Sequence, residues 1–200
     1  NLSGRQFPFA ILYPQAARFV MVYPRVSLYA LMLAAAGIPL YIHLPRFASV
    51  ELGIALGTLG TVLFAIRLID LVQDPLIGWA IDRWPKAQSL FALSAAGRLA
   101  VGFPLLFNLK PGSSLITELV AILILLFSAY SLGSILLYGR SATLANRPAP
   151  QELMTLAAFR EGGMLAGVVI AAIAPSLLLD LGASGQGYPI FGLLLSSIAI

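Results

Sequence analysis

The feature that most limits the fold of this chain is a series of long apolar runs separated by short breaker segments. Five complete runs cover about residues 26–44, 52–81, 88–109, 115–138 and 153–179, and a sixth begins near Tyr188. Each complete run reaches the ~18 residues that indicate a membrane-spanning helix. The connections contain prolines, glycines and charges, as in "DRWPKAQ", "NLKPGSS" and "ANRPAPQ". The sequence therefore predicts an all-α polytopic membrane protein.

The composition agrees with this class and excludes several functions. Of the 200 residues, 60% are hydrophobic and only 10% are charged, whereas a soluble domain carries roughly 25% charged residues. The chain has no cysteine and a single histidine, His43, which excludes disulfides, thiolate zinc sites and two-histidine metal sites. The net charge of +4 fits basic cytoplasmic loops and needs no nucleic acid as a partner. No catalytic constellation is recognisable, so we predict a protein that is not an enzyme and has no cofactor.

The distribution of basic residues predicts the orientation. With the amino terminus inside, the outer connections hold only Arg46 and Lys110. The cytoplasmic segments then hold the larger set: Arg5, Arg18, Arg25, Arg83, Lys86, Arg140 and Arg147. This excess follows the positive-inside rule and places the amino terminus in the cytoplasm.

Two parts of the chain differ from the complete spans. Residues 1–25 contain "FPFAILYPQAARFVMVYP", an apolar stretch that three prolines and an arginine interrupt. We interpret it as an interfacial segment or as a non-native extension, and residues 26–200 as the helical bundle. The last run, "YPIFGLLLSSIAI", is too short to span a bilayer, so we expect the chain to be a fragment of a longer protein.

The second span, "RLIDLVQDPLIGWAIDR", carries charges into the predicted membrane. Arg67, Asp70 and Asp74 fall within roughly 60° of one another around the helix. Four glycines lie on or beside this face, Gly53, Gly57, Gly60 and Gly78, and the Gly53/Gly57 spacing is typical of packed membrane helices. We therefore expect this face to point at other helices. Each charge at mid-membrane costs roughly 2.5–3.5 kcal/mol before pairing, so a function is indicated.

Helix geometry also predicts a common depth for charges on three helices. Counted at about 1.5 Å per residue, they lie roughly 12–18 Å from the cytoplasmic helix ends. The positive and negative charges of this layer sum to zero, which makes buried ionisable groups tolerable. The layer would contain Arg67, Arg98 and Arg160 with Asp70, Asp74 and Glu161.

One interpretation is that these charges are structural ion pairs. The other starts from Asp70 and Asp74, which repel each other one turn apart and would suit a proton or a small hard cation such as sodium that comes and goes. Pro75 leaves the carbonyl of Leu71 without its helical hydrogen-bond donor. This carbonyl either lines a cavity, or the proline only produces a kink in the helix.

Aromatic residues and the histidine lie near predicted helix ends. Tyr41, Trp79 and Trp84 are interpreted as belt aromatics. His43 is interpreted as an interfacial anchor, with a proton relay as the alternative.

The arrangement of Arg67, Asp70, Asp74, Pro75 and Gly78 resembles the second-helix signature of the glycoside–pentoside–hexuronide:cation symporters. This is the melibiose-permease-like branch of the major facilitator superfamily. The resemblance implies the amino-terminal six-helix half of a twelve-helix transporter, truncated in the sixth helix, with a missing carboxyl-terminal half as its partner. It also implies a cation site at Asp70 and Asp74, with Gln73 where the family usually has asparagine, and leaves Arg67 as a structural ion-pair residue.

Two further segments resemble motifs of the same superfamily. "GWAIDRWPK" resembles the loop motif that latches the cytoplasmic helix ends, although Pro85 replaces the usual glycine; an ordinary basic loop is the alternative. Its predicted latch residues are Gly78, Asp82, Arg83 and Lys86. In "LAAFREGGMLAG", Arg160 matches an arginine implicated in substrate binding, and Glu161 and Arg98 are further candidates for the solute site. The alternative for Arg160 is a plain partner for Asp70 or Asp74.

The chain also departs from the sugar-transporting members. Its first span has no acidic residue, and its fourth has only Glu118 near the outer end. Ser128, Ser131 and Ser134 could supply hydroxyl ligands from the fourth span, but the sequence does not select among them.

We therefore predict a sodium- or proton-coupled symporter of a small polar solute, a sugar or glycoside, working by alternating access in the lipid bilayer of a bacterial inner membrane. The alternatives are a porter for a non-sugar amphipathic solute and a non-transporting membrane scaffold subunit.

Overall fold

The structure is a computed structural model that describes residues 14–141, 150–180 and 187–200. Side chains are described from Tyr23 onward, except those of 140–151 and 179–186. Residues 1–13 of the predicted interfacial segment, and the predicted loop residues Arg5 and Arg147, therefore lie outside the described residues. The described residues form helices and connections without a β-strand.

Six helices cover the predicted spans, and the first of them begins earlier than predicted, at Pro14. They are α1 (Pro14–Ile38), α2 (Leu56–Arg83), α3 (Gln88–Phe107), α4 (Leu115–Ser141), α5 (Pro150–Asp180) and α6 (Gly187–Ala199). Within the described ranges, five helical segments are long and apolar enough to cross a membrane, and α6 is shorter. The predicted polytopic all-α architecture is confirmed.

The end of the first span differs from the prediction. The "LPRFAS" segment was expected to be a connection, but the chain stays helical through two π-helical turns, Pro39–His43 and Phe47–Glu51, joined by an α-helical turn at Leu44–Arg46. Only residues 52–55 connect α1 to α2, and Gly53 has a φ of 68°, a conformation that glycine adopts without strain. Prolines inside a membrane helix are tolerated where local π-helical turns and neighbouring helices accommodate the freed carbonyls.

The strongest helix contact joins α1 and α5. It depends on Gly163 and Gly167, because a Cβ atom at either position would overlap a backbone carbonyl oxygen of α1, that of Ser27 or of Leu31. Small residues four apart let two membrane helices approach closely. The sequence analysis did not single out this pair, although the Gly-x-x-x-Gly spacing was visible.

The face predicted on α2 is confirmed for its charged residues, which meet α4, but its glycines make no close helix contact in the described structure. Gly53 precedes the helix, and a Cβ at Gly57, Gly60 or Gly78 would meet no atom within 4 Å. The reason is that α2 packs mainly on α4, and only 17% of the residues in its most apolar stretch are buried inside the bundle.

Of the remaining helices, α3 packs between α4 and α6. Their shared core consists of large side chains that are almost wholly buried: Leu99, Phe103, Phe107, Leu119, Leu123, Leu126 and Phe191. This core fixes α4 in place, and α4 in turn presents polar side chains to α2.

His43 has a structural role in the fold. Pro175 in α5 lacks an N–H, so the carbonyl of Ala171 four residues earlier loses its helical donor. The His43 ring lies with Nε2 3.2 Å from this carbonyl oxygen and donates the missing hydrogen bond in its Nε2–H tautomer. An inward hydrogen bond to α5, rather than interfacial anchoring, therefore explains this histidine.

Candidate functional site

The candidate site lies along the contact between α2 and α4. Arg67 and Asp70 form an ion pair within α2, with Nη1 of the arginine 2.9 Å from Oδ2 of the aspartate. Asp70 is 8% exposed and is the one charged residue classed as buried among those described. The i, i+3 spacing on a helix brings such side chains together, so the sequence alone sets up this pair.

Arg67 is held by more than its ion pair. Its second amino group, Nη2, donates a hydrogen bond of 2.7 Å to the hydroxyl of Tyr41. The guanidinium carbon also lies 4.7 Å from the centre of the Phe127 ring and 5.1 Å from that of Tyr41. Contacts of a guanidinium with aromatic faces are attractive, more so where water is displaced. Arg67 therefore ties α2 to α4 and to the end of the first span.

Asp74 has a different environment from Asp70. The hydroxyl of Ser131 on α4 donates a hydrogen bond to Oδ1 of Asp74. Among the residues the structure describes, no basic side chain forms an ion pair with this carboxylate. The Asp74 carboxylate thus has a hydroxyl as its hydrogen-bond partner, but no basic side chain among the described residues balances its charge.

Gln73 forms a second polar contact with α4. Ser128 donates a hydrogen bond of 2.8 Å to the side-chain carbonyl oxygen of Gln73. The amide nitrogen of Gln73 is buried and has no partner in the described part of the chain. Two consecutive residues of α2 therefore meet two serines one turn apart on α4, and this contact selects Ser128 and Ser131 from the three serines that the sequence left open.

The predicted substrate residues on α5 pair with each other. Both Nε and Nη2 of Arg160 donate to Oε1 of Glu161, at 3.1 and 2.8 Å. The guanidinium carbon lies 5.1 Å from the centre of the Tyr138 ring on α4, and the Glu161 side chain is 56% exposed. Arg160 therefore lies next to an aromatic face with an accessible carboxylate beside it.

The predicted neutral layer is not joined by ion pairs between helices. The two ion pairs in the described residues each form inside one helix, Arg67 with Asp70 and Arg160 with Glu161. Arg98 is exposed on α3 and has no hydrogen bond or ion pair with another described residue. The physical reason is that α5 packs on α1, and α3 on α4 and α6, so neither brings its charge onto α2.

The predicted latch residues lie at the carboxyl end of α2. Asp82, Arg83 and Lys86 are exposed, and Gly78 is half-buried. Trp79 and Trp84 pack edge to face there, with ring centres 5.8 Å apart. No described contact joins these charges to another helix end, so the latch stays a prediction.

Sequence reasoning missed three aromatic residues of this region. Tyr41 was interpreted as a belt aromatic, yet it contacts Arg67, and neither Phe127 nor Tyr138 was singled out. No local signal identifies them, because each meets its arginine only through helix packing. An arginine in an apolar span does, however, predict that aromatic rings as well as carboxylates lie beside its guanidinium group.

This geometry defines an α-helical polytopic membrane protein with a polar contact between two of its spans. The sequence matches the family described as MFS/sugar transport protein over residues 26–200, and the chain belongs to this family of major facilitator transporters. Comparisons with curated proteins and with solved structures each found no match.

Proposed function

We propose that this chain belongs to a cation-coupled symporter of a small polar solute, with a sugar or glycoside as the solute class. The observation that carries the proposal is the contrast between Asp70, which Arg67 neutralises, and Asp74, which has only the Ser131 hydroxyl. The charges of these three ionisable residues sum to one negative charge. A single monovalent cation, sodium or a proton, would balance it.

The residues around Asp74 supply oxygen ligands for such a cation. Ser131 can turn its hydroxyl so that a lone pair faces the ion. The amide of Gln73, rotated by half a turn, would donate from Nε2 to Ser128, which gives its buried nitrogen a partner, and would put Oε1 in the buried position that the nitrogen now holds, free to face an ion. Carboxylate, hydroxyl and amide oxygens suit a hard cation. If the ion is a proton, the neutral carboxyl of Asp74 would instead donate to Ser131.

Cation binding at this place would change the contact between α2 and α4. Ser131 donates to Asp74 in this structure, whereas a bound ion would draw oxygens from both helices toward itself. Alternating access requires that each ligand favour one of two arrangements of the helices. A site built from two helices meets this requirement better than one built within a single helix.

The solute would lie near Arg160 and Glu161. Together they offer hydrogen-bond donors and acceptors beside the face of Tyr138, a combination that suits a hydroxyl-rich ring. Arg98 has no described neighbour of this kind, and we do not assign it to the solute site. The family's architecture of two helical halves would supply the other wall, in an inner membrane with the amino terminus in the cytoplasm.

Cation-dependent uptake of labelled sugars and glycosides tests the proposal. Proteoliposomes with the intact protein should accumulate solute along an imposed sodium or proton gradient, and Asp74→Asn should abolish the gradient dependence while the protein still folds. Glu118→Gln is the matched control, because Glu118 bonds only to Ser114 near the start of α4. Full coupled uptake by Asp74→Asn would overturn the cation site. Normal function after exchange of Arg67 with Asp70 would favour a scaffold instead.

A further inference from the structure

A cavity of about 390 Å³ lies at the end of the bundle away from Arg83. It is formed by the helical end of the first span, the carboxyl ends of α3 and α5 and the start of α6. Its volume falls within the ~300–1,000 Å³ of small-molecule sites. The α2–α4 contact contributes no residue to it, so it is separate from the candidate cation site.

The charges around this cavity are unusual for their position. Arg46 and Lys110 both line it, and they are the two basic residues that the predicted orientation assigns to outer connections. The positive-inside rule disfavours such residues. Arg46 lies in the helical end of the first span and Lys110 in the connection after α3, yet tertiary structure brings them to one cavity. Convergence of this kind indicates an anionic group as their partner.

One acidic residue lines the same cavity. Glu51 is exposed there and is not within ion-pair distance of Arg46 or Lys110 in the described structure. Arg46, Glu51 and the ring of Tyr188 line the same cavity. The cavity therefore presents two positive charges and one separate negative charge, a pattern that is more complementary to a zwitterion than to a plain anion.

Aromatic rings form the apolar wall of the cavity. The ring centres of Phe47 and Phe107 are 5.2 Å apart, those of Phe47 and Tyr188 are 5.0 Å apart, and those of Phe107 and Tyr188 are 5.5 Å apart. Phe47 and Phe107 are almost wholly buried, so the partly exposed ring of Tyr188 is the one that can attract an ammonium group. The two π-helical turns flank Arg46 at this place, and such turns are frequent at functional sites.

We propose that this cavity binds a zwitterionic phosphodiester of the phosphoethanolamine class, with the phosphate at Arg46 and Lys110 and the ammonium at Glu51 and the ring of Tyr188. Basic side chains form their strongest hydrogen bonds with phosphate oxygens. The group has two possible sources, the headgroup of a phospholipid at the membrane surface and a soluble glycerophosphoethanolamine. The position of the cavity at a helix-bundle end gives access to both.

The test is thermal unfolding of the intact protein purified in uncharged detergent. We expect added phosphatidylethanolamine to raise the unfolding temperature more than phosphatidylglycerol, which has the phosphate but no ammonium. Arg46→Gln and Lys110→Gln should each lose at least half of both shifts. Glu51→Gln should lose only the difference between the two lipids. Arg25→Gln, which removes an exposed cation of α1 that does not line the cavity, should keep both shifts.

A soluble arm separates the sources. If glycerophosphoethanolamine alone reproduces the shift in wild type and loses it in Arg46→Gln, the ligand is soluble; if only the lipid acts, the ligand is a headgroup. Native mass spectrometry of retained lipid gives a second readout for any variant of low stability. Equal lipid shifts in wild type, Arg46→Gln and Lys110→Gln would overturn the proposal, as would a Glu51→Gln variant that still distinguishes the two lipids.

Discussion

The hydroxyl of Ser131 on α4 donates a hydrogen bond to the carboxylate of Asp74 on α2. One turn earlier on α2, the partner of the Asp70 carboxylate is the guanidinium of Arg67 and not a hydroxyl. Two carboxylates that look equivalent in the sequence therefore have different electrostatic surroundings. The first prediction follows from this difference.

Removal of the Ser131 hydroxyl should weaken cation binding without preventing transport. Ser131→Ala deletes one ligand and one hydrogen bond, worth about 0.5–1.5 kcal/mol, which corresponds to about a 2–12-fold higher half-saturating cation concentration. Uptake measured against sodium concentration or pH reports this constant. Ser94→Ala is the control, since Ser94 bonds only to the Phe91 carbonyl of its own helix. An unchanged constant in Ser131→Ala would remove the hydroxyl from the proposed site.

Loss of Arg67 should destabilise the protein, and neutralising Asp70 should restore part of the loss. Arg67→Ala leaves a buried carboxylate without its counter-charge, which costs about 3–5 kcal/mol. In Arg67→Ala/Asp70→Asn the unpaired charge is gone, so thermal unfolding should occur at a temperature between those of the single variant and the wild type. A double variant no more stable than Arg67→Ala would show that the aromatic contacts of Arg67, rather than its ion pair, dominate.

The two adjacent glycines of α5 should respond in opposite ways to the same substitution. Gly163→Ala places a methyl group against the Ser27 carbonyl and should cost about 1–3 kcal/mol. Gly162→Ala has open space and should be neutral or should stabilise the helix by up to about 1 kcal/mol. Thermal unfolding of both variants in the same detergent measures the contrast. Similar behaviour of the two would contradict the close approach of α1 and α5.

His43 and Pro175 should be energetically coupled. His43→Phe keeps a flat ring but leaves the Ala171 carbonyl without a donor, whereas Pro175→Ala restores the N–H that a helix normally supplies. We expect His43→Phe to cost about 1 kcal/mol less in the Pro175→Ala background. A double-mutant cycle of unfolding free energies measures this difference, and additive effects would argue against the shared carbonyl.

The spans were largely predictable, and the reason is local. Apolar length fixes the existence of a membrane helix, so α2 through α5 begin and end close to their predicted bounds. The Arg67–Asp70 pair is likewise local, since an i, i+3 spacing brings the two groups together wherever the helix lies. The helical continuation through Pro39–Glu51 was missed because prolines at the start of a helical turn and prolines that break a helix look alike in a sequence.

The sequence by itself determined that this chain is a bundle of membrane helices and that charges lie within its spans. Which of those charges is left without a counter-charge was decided by tertiary structure. The contact of α2 with α4 gives Asp74 a serine, and the packing of α5 on α1 keeps Arg160 beside Glu161 and Tyr138. The physical reason is that periodicity gives the face of a helix on which a side chain lies, whereas its partner depends on which helix packs against that face.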